Sequence, residues 1–461
     1  MEVLGIIGGI VMSNSDCEEK IAERRESVKT TIGYHRILSL FDRGSFCEID
    51  SLAGSADGPA EAVAGYGTVD GRPTCAFSQN GAVAGGAMSK AQASKIKKLF
   101  RLALKTGCPV VGIYDSIGAR LNEGADMLAA CGEILLDANN LSGVVPQISL
   151  VLGPCTGTEA MIAAGADLVV MSAHGELTVS TDGGDGSPSE AEKQGVCHIS
   201  AQTEEEAVGA VRRLISMLPS NNLAAAPVFC KEGPTKSATE ESGVRGAALS
   251  VCDGGDFLEL GAHFGSGSFT GFVRIGGTVT GLTGLMGILD ADSCSKAARF
   301  MRFCDSFSIP VVTFVDAEKF SALREASKLS SAYSEATTAK VTVITGCAFG
   351  PVYIAAAGRG ANADYTFAWP DAVVSAIRPE TAAEFLWHDR LKGSNEPVGD
   401  RKKLAEEYRR TKADAFSAAE GGLIEDVIKP EKTRDKLIAC LDMLSGKRVS
   451  TLPKKHADIQ L

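Results

Sequence analysis

Between residues 14 and 40 charged side chains recur at helical spacing, as in Glu18, Glu19, Lys20, Glu23, Arg24, Arg25 and Glu26, which predicts an exposed helical lead-in. Four short apolar runs follow, CEID, TCAFSQ, PVVGIYD and PQISLVLG, and read as strands. Between the second and third lies KAQASKIKKLFRLALKTG, where Ile96, Leu99, Phe100 and Ala103 fall three or four apart. That spacing predicts an amphipathic helix closed by Gly107. A further helix is expected after Gly157. Strand, helix, strand, helix is the pattern of a right-handed α/β crossover.

The same pattern is written twice. From about Val251 to Ala363 the chain loosely repeats Leu40 to Ala166. Asp42-x-Gly44-x-Phe46-x-Glu48 returns as Asp253-x-Gly255-x-Phe257-x-Glu259. Ser94-Lys95, fifteen residues before Pro109, returns as Ser295-Lys296, fifteen before Pro310. Each proline opens a run of seven that ends in aspartate, PVVGIYD to Asp115 and PVVTFVD to Asp316. Two copies, each large enough for its own core, imply a pseudo-symmetric pair of domains, here 1–225 and 240–461, with a linker around Pro219–Ser242. The tail from Arg401 reads as helical and ends in the basic segment PKKHADIQL.

Composition narrows the function class. The chain has 461 residues, is 44% hydrophobic and carries a net charge of -11. Without a lysine- or arginine-rich block, a nucleic-acid face is not expected. The thirteen cysteines are scattered and form no C-x-x-C pair, so they read as reduced thiols of a cytoplasmic protein rather than zinc ligands or a disulfide framework. The short apolar run in Met1–Met12 has no basic start and predicts a packed segment, not a signal peptide, and no run reaches transmembrane length.

The chemistry that remains lies in glycine-containing turns. In the first copy ISLVLG runs through Pro154-Cys155-Thr156-Gly157-Thr158 into the small-residue helix EAMIAAGA. In the second VTVITG runs through Cys347-Ala348-Phe349-Gly350-Pro351 into VYIAAAG. A strand that meets a helix this way leaves unpaired N–H groups at the helix start, and such donors stabilise oxyanions. An ordinary tight turn gives the same sequence. Gly85-Gly86 offers a second place of this kind before the first-copy helix. Asp115 and Asp316, at strand ends, are expected to cap helices. His198, within GVCHIS, is expected to be structural. No G-x-x-x-x-G-K-[ST], no G-x-G-x-x-G after a strand, no G-x-S-x-G and no metal-spaced histidines occur.

FDRGSFCEID, GTVDGRPTCAFSQ, DSIGARLNEG, SGVVPQISLVLGPCTG, GDFLEL, LDADSCSKAARFMRFCDSFSIPVVTFVD, KVTVITGCAFG, YTFAWP and KKHADIQL together resemble carboxyltransferase (beta) subunits of biotin-dependent acyl-CoA carboxylases of the propionyl-CoA carboxylase type, and the related subunits of acyl-CoA decarboxylases. The resemblance implies an α/β fold of tandem crotonase-like (ClpP/crotonase) domains, with active sites between the N-domain of one chain and the C-domain of another. It implies transfer of a carboxyl group between biotin and the α-carbon of a coenzyme A thioester. The biotin would ride on a separate biotin carboxyl carrier protein, beside a biotin carboxylase or a membrane decarboxylase subunit, and the chain would form dimer units, possibly a hexamer. The first oxyanion hole would fall on Gly157 and Thr158, the second on Gly350, Pro351 and Val352. Gly85, Gly86, Gly118, Ala119 and Arg120 match family loops near the acyl-CoA. No metal is implied.

Several positions depart from the family pattern. Pro351, in the second turn, has no N–H to give. Thr158 stands where the family has glycine. The segment STDGGDGSPSEAEKQG is short, an Asn-Gln-Pro loop is absent between Met286 and Leu289, and AEKFSALREA replaces a loop after Asp316. Two readings follow: an active carboxyltransferase with altered specificity, or a catalytically impaired paralogue that serves as a scaffold or acyl-CoA-binding partner.

Overall fold

A computed structural model describes residues 5–7, 10–12, 14–53, 61–180, 184–234 and 243–449. The terminal KKHADIQL, parts of the Met1–Met12 run and residues 235–242 of the expected linker lie outside the described residues. The chain divides into two compact units, Met1–Ala224 and Ala225–Leu461.

Each unit is built on an eight-stranded sheet with the same internal order. In the first unit, strands Ile199–Ala201, Leu168–Ser172, Gln147–Thr156, Val110–Ser116 and Arg72–Gln79 run parallel in that spatial order. The hairpin partner Ala62–Val69 and the short Cys47–Glu48 close the edge antiparallel. In the second unit the equivalent path runs through Thr278–Leu289, Val311–Phe320 and Lys340–Phe349, with Ser268–Ile275 and Phe257–Leu260 antiparallel.

The helices form where the apolar spacing puts them. Lys90–Thr106 opens on Ser89, whose hydroxyl accepts from the Gln92 N–H, and closes on Gly107 at φ +67. Its buried face, Ile96, Leu99, Phe100 and Ala103, joins a core with Phe77, Tyr114 and Ile134. The lead-in is two helices, Asn14–Lys29 and Ile32–Leu40, separated where Thr31 caps the second. Among the described side chains of the first all but Val28 are exposed, whereas Ile37 and Leu40 of the second are fully buried.

The repeated Asp-x-Gly-x-Phe-x-Glu has a structural cause. Asp42 accepts from the backbone N–H groups of Asp70 and Gly71 and pairs with Arg212. Asp253 accepts from those of Gly276 and Gly277 and pairs with Arg434. In each unit one carboxylate ties a hairpin turn to a late helix, Glu204–Met217 in the first and Thr433–Leu444 in the second.

The aspartates expected to cap helices do otherwise. The parallel ladder shifts register between Tyr114 and Ser116, and again between Val315 and Ala317. Asp115 and Asp316 occupy those bulges. Asp115 pairs with Arg36 at 2.6 Å, and Asp316 Oδ1 accepts from the Cys347 N–H at 2.7 Å. A Cβ on Gly153 would stand 2.4 Å from Asp115 Oδ1, and one on Gly346 2.2 Å from Asp316 Oδ1, so the matching glycines make room for the two carboxylates.

Of the three stretches read as altered loops, the one before Leu289 and the start of AEKFSALREA are strand, while the described part of STDGGDGSPSEAEKQG holds the short helix Pro188–Lys193. Thr278–Leu289 continues through Met286, and AEKF extends the neighbouring strand, with Ile288 against Lys319 and Leu289 against Phe320. Among the described residues no helix is long and apolar enough to cross a membrane.

Candidate active site

The first-copy turn is longer than it reads. Strand Gln147–Thr156 does not end at Gly153, because the short strand Glu176–Thr178 pairs with its last three residues. Gly157 then turns the chain at φ +64 and ψ -131, and helix Thr158–Ala164 begins. The Gly157 N–H donates to Thr178 O at 2.8 Å and is therefore spent on the ladder. The Thr158 N–H is the first one in this turn that no backbone acceptor takes among the described residues.

Thr158 opens on a cavity of about 680 Å³, lined also by Val83, Ala84, Ala87, Ile117, Gly118, Ala119, Arg120, Leu121, Cys131, Thr156, Gly157 and Glu159. Across it runs the segment after Val110–Ser116. There the Gly118 N–H donates to Ser116 Oγ, and its carbonyl accepts from the Met88 N–H. The Arg120 N–H donates to Met88 O. Ala119, between them, is exposed, and no described backbone acceptor takes its N–H. Thr158 and Ala119, each with an N–H that no described backbone acceptor takes, thus line one cavity. A second hollow of about 400 Å³ shares Ala119, Arg120, Leu121, Cys131 and Thr158 and extends along helix Asp126–Leu141.

The structure brings Gly118, Ala119, Arg120, Gly157 and Thr158 together around this cavity. Gly85 and Gly86 stand beside it, flanked by the lining residues Ala84 and Ala87. They do not open a helix: the Gly86 N–H donates to Val83 O inside a short turn, and the helix starts four residues on, at Lys90. The Arg120 side chain is buried and turned onto Glu61, with Nη2 at 2.6 Å from Oε1. His198 is structural, its Nδ1 accepting from the Val169 N–H.

Glu159 was not among the sequence candidates. It is 1% exposed. Gln79 Nε2 donates to its Oε2 at 2.5 Å, and Ser116 Oγ donates to its Oε1 at 3.0 Å. Gln79 is held in turn, its Oε1 accepting from the Asp115 N–H. Burial pushes the Glu159 carboxyl up to about 7, against the pull of Gln79, Ser116 and the Met88 N–H. The only signal in the sequence is one acidic residue opening an otherwise apolar helix, where ordinary capping is the common cause.

A raised carboxyl pKa fixes the sign of a stability effect. The folded state holds the proton more tightly than the unfolded chain, so this contribution is full below pH 4.5 and is lost as pH rises through about 7. At pH 8 the buried charge costs about 3 kcal/mol. Glu159→Gln is therefore expected to stabilise the chain at pH 8 and to leave stability at pH 4 nearly unchanged, as read by urea unfolding at the two pH values.

The second-copy turn repeats the geometry but not the donors. Gly350, at φ +42, donates its N–H to Ser375 O at 2.8 Å, as Gly157 does to Thr178. A Cβ there would meet Ala376 O at 2.4 Å, so the position requires glycine. Pro351 follows and has no N–H. Of the three residues expected at this hole only Val352 keeps an N–H not spent on the ladder, and it is fully buried.

Residues 29–459 match the carboxyl transferase domain family. The chain is 36% identical to the propionyl-CoA carboxylase beta chain of Saccharopolyspora erythraea, over 96% of this chain and 93% of that one. It is 34% identical to the methylmalonyl-CoA decarboxylase subunit alpha of Propionigenium modestum, over 96% of this chain and 95% of that one. Among solved structures it resembles the transcarboxylase 12S hexamer, determined with methylmalonyl-coenzyme A and methylmalonic acid bound, with a TM-score of 0.92 and 29% identity over 98% of this chain and 99% of that one. The two units accordingly share the α/β, crotonase-like fold of the carboxyltransferases.

Proposed function

The chain belongs to the carboxyl transferase domain family, and from that premise we propose that it is the carboxyltransferase subunit of an acyl-CoA carboxylase or decarboxylase, with domains at 1–225 and 240–461. Its substrate is a short acyl-CoA, seated in the first-unit cavity. The observation that carries this reading is the pair of open amides, Thr158 and Ala119, on one cavity. Carboxyl gain or loss at an α-carbon passes through an enolate, whose negative charge collects on the thioester oxygen. Two fixed N–H donors stabilise that oxygen without any nucleophilic side chain. Buried Arg120 holds the Ala119 segment in place through Glu61.

The acceptor or donor of the carboxyl group is biotin on a separate carrier protein, with a biotin carboxylase or a membrane decarboxylase subunit completing the assembly and dimers of this chain as its core. The residues of the second turn do not fit the ureido oxygen of biotin as a paired hole: Gly350 has spent its N–H and Pro351 has none. This observation favours a second reading, a paralogue that binds acyl-CoA but has lost biotin-dependent turnover.

Thermal shift with propionyl-CoA and methylmalonyl-CoA, run beside a decarboxylation assay in the presence of free biotin, tests both readings. Stabilisation with turnover supports the first reading, stabilisation alone the second, and no stabilisation removes acyl-CoA from the cavity. Pro351→Gly is expected to raise the biotin-dependent rate roughly tenfold, because it returns one donor at the cost of a looser helix start. An unchanged rate removes Pro351 from the biotin side.

A further inference from the structure

We propose that Glu159 is the group that exchanges a proton with the α-carbon of the acyl thioester in the first-unit cavity. The inference rests on the reading of that cavity as the acyl-CoA site. It starts from a comparison within the chain. The sheet register matches Arg72 to Thr278 and Val110 to Val311, which sets Gln79 opposite Leu285 and Ser116 opposite Ala317. The two glycine turns match Gly157 to Gly350, which sets Glu159 opposite Val352. All three positions are apolar and fully buried in the second unit. The fold closes there with leucine, alanine and valine, so it does not need a glutamine, a serine and a glutamate in the first unit. A buried polar cluster that the scaffold does not require, set against the wall of a cavity, has chemistry as its remaining use.

The geometry suits a proton carrier. Glu159 lines the cavity, one residue past the open Thr158 amide. Gln79 and Ser116 each donate to one carboxylate oxygen and the Met88 N–H also pulls on the group, so of the carboxylate's roughly four lone-pair sites one is left for a proton. The groups that face it are neutral. Tyr114 and Cys155 on the sheet and Cys131 on helix Asp126–Leu141 all have their pKa values pushed up by burial. The charge of Asp115 is matched by Arg36, and that of Arg120 by Glu61. Glu159 is the group among them that changes charge near neutrality.

In the exchange, the α-C–H bond breaks and its proton passes to a Glu159 carboxylate oxygen. The electron pair moves into the thioester, and the enolate oxygen takes the Thr158 and Ala119 N–H groups. The reverse step returns the proton. The same protonated carboxyl serves to quench the enolate left when a carboxyl group departs.

The experiment is α-deuteration of propionyl-CoA by the full chain in D₂O without biotin, followed by mass spectrometry, with thermal shift by propionyl-CoA in parallel. Wild type is expected to incorporate deuterium, with a rate that falls as pH drops below about 7. Glu159→Gln is expected to slow incorporation by at least about a hundredfold while the thermal shift persists. Glu159→Val, which copies the second unit, is the companion variant whose packing that unit already accepts. Exchange at the wild-type rate in either folded variant overturns the proposal, as does binding without exchange in wild type. Absence of a thermal shift in wild type overturns the cavity reading itself, and the proposal with it.

Discussion

Thr158→Pro lowers kcat for the acyl-CoA reaction by about a hundredfold and moves the unfolding midpoint by no more than about 3 °C. Both halves of this expectation come from the chain's own duplication. Gly157 and Gly350 make the same turn, each N–H spent on a short added strand. The residue after each glycine is the first of its helix, and in the second unit that residue is already proline. Proline at the first helical position fits the fixed φ and gives up an N–H that has no helical acceptor. The fold therefore tolerates it. The cavity does not, because the Thr158 N–H is one of the two donors assigned to the enolate oxygen. Losing one donor of an oxyanion hole costs about 3 kcal/mol of transition-state stabilisation. Thr158→Gly keeps the N–H and is expected to keep kcat within a few-fold. A proline variant with an intact fold and wild-type kcat would show that the enolate oxygen lies elsewhere.

The duplication was legible because it is written in residues whose roles are local. A proline-led apolar run makes a central strand whatever surrounds it, and Ile96, Leu99 and Phe100 bury one face of a helix by spacing alone. What was not legible depended on partners distant in sequence. Which amide in each turn stays open is decided by Glu176–Thr178 and Val373–Ser375, three-residue strands too short to announce themselves. Asp115 and Asp316 read as caps because a bulge leaves no mark in sequence; only the matched glycines Gly153 and Gly346 hint at it. Glu159 opens an apolar helix, a place where carboxylates are common. Its burial follows from Gln79 and Ser116, on two other strands.

The two repeat aspartates make the same contacts in different surroundings, and this separates their energetics. Asp253 is fully buried, with two backbone donors and the Arg434 guanidinium at 2.7 Å. Asp42 has the equivalent backbone donors and Arg212 at 2.9 Å, but its side chain is 30% exposed. Asp253→Ala strands a charge that is 15% exposed and two buried N–H groups, a loss of about 3–5 kcal/mol. Asp42→Ala lets water reach every group it abandons, so its effect is expected to be much smaller, although the Gly71 N–H and Arg212 hold the Asp42 carboxyl well below the usual carboxylate range. Urea unfolding of the two single variants checks the contrast. Equal losses would mean that the hairpin tie, and not its burial, sets the cost. A large loss confined to Asp253 would mean that the same seven-residue motif holds one unit together and only trims the other.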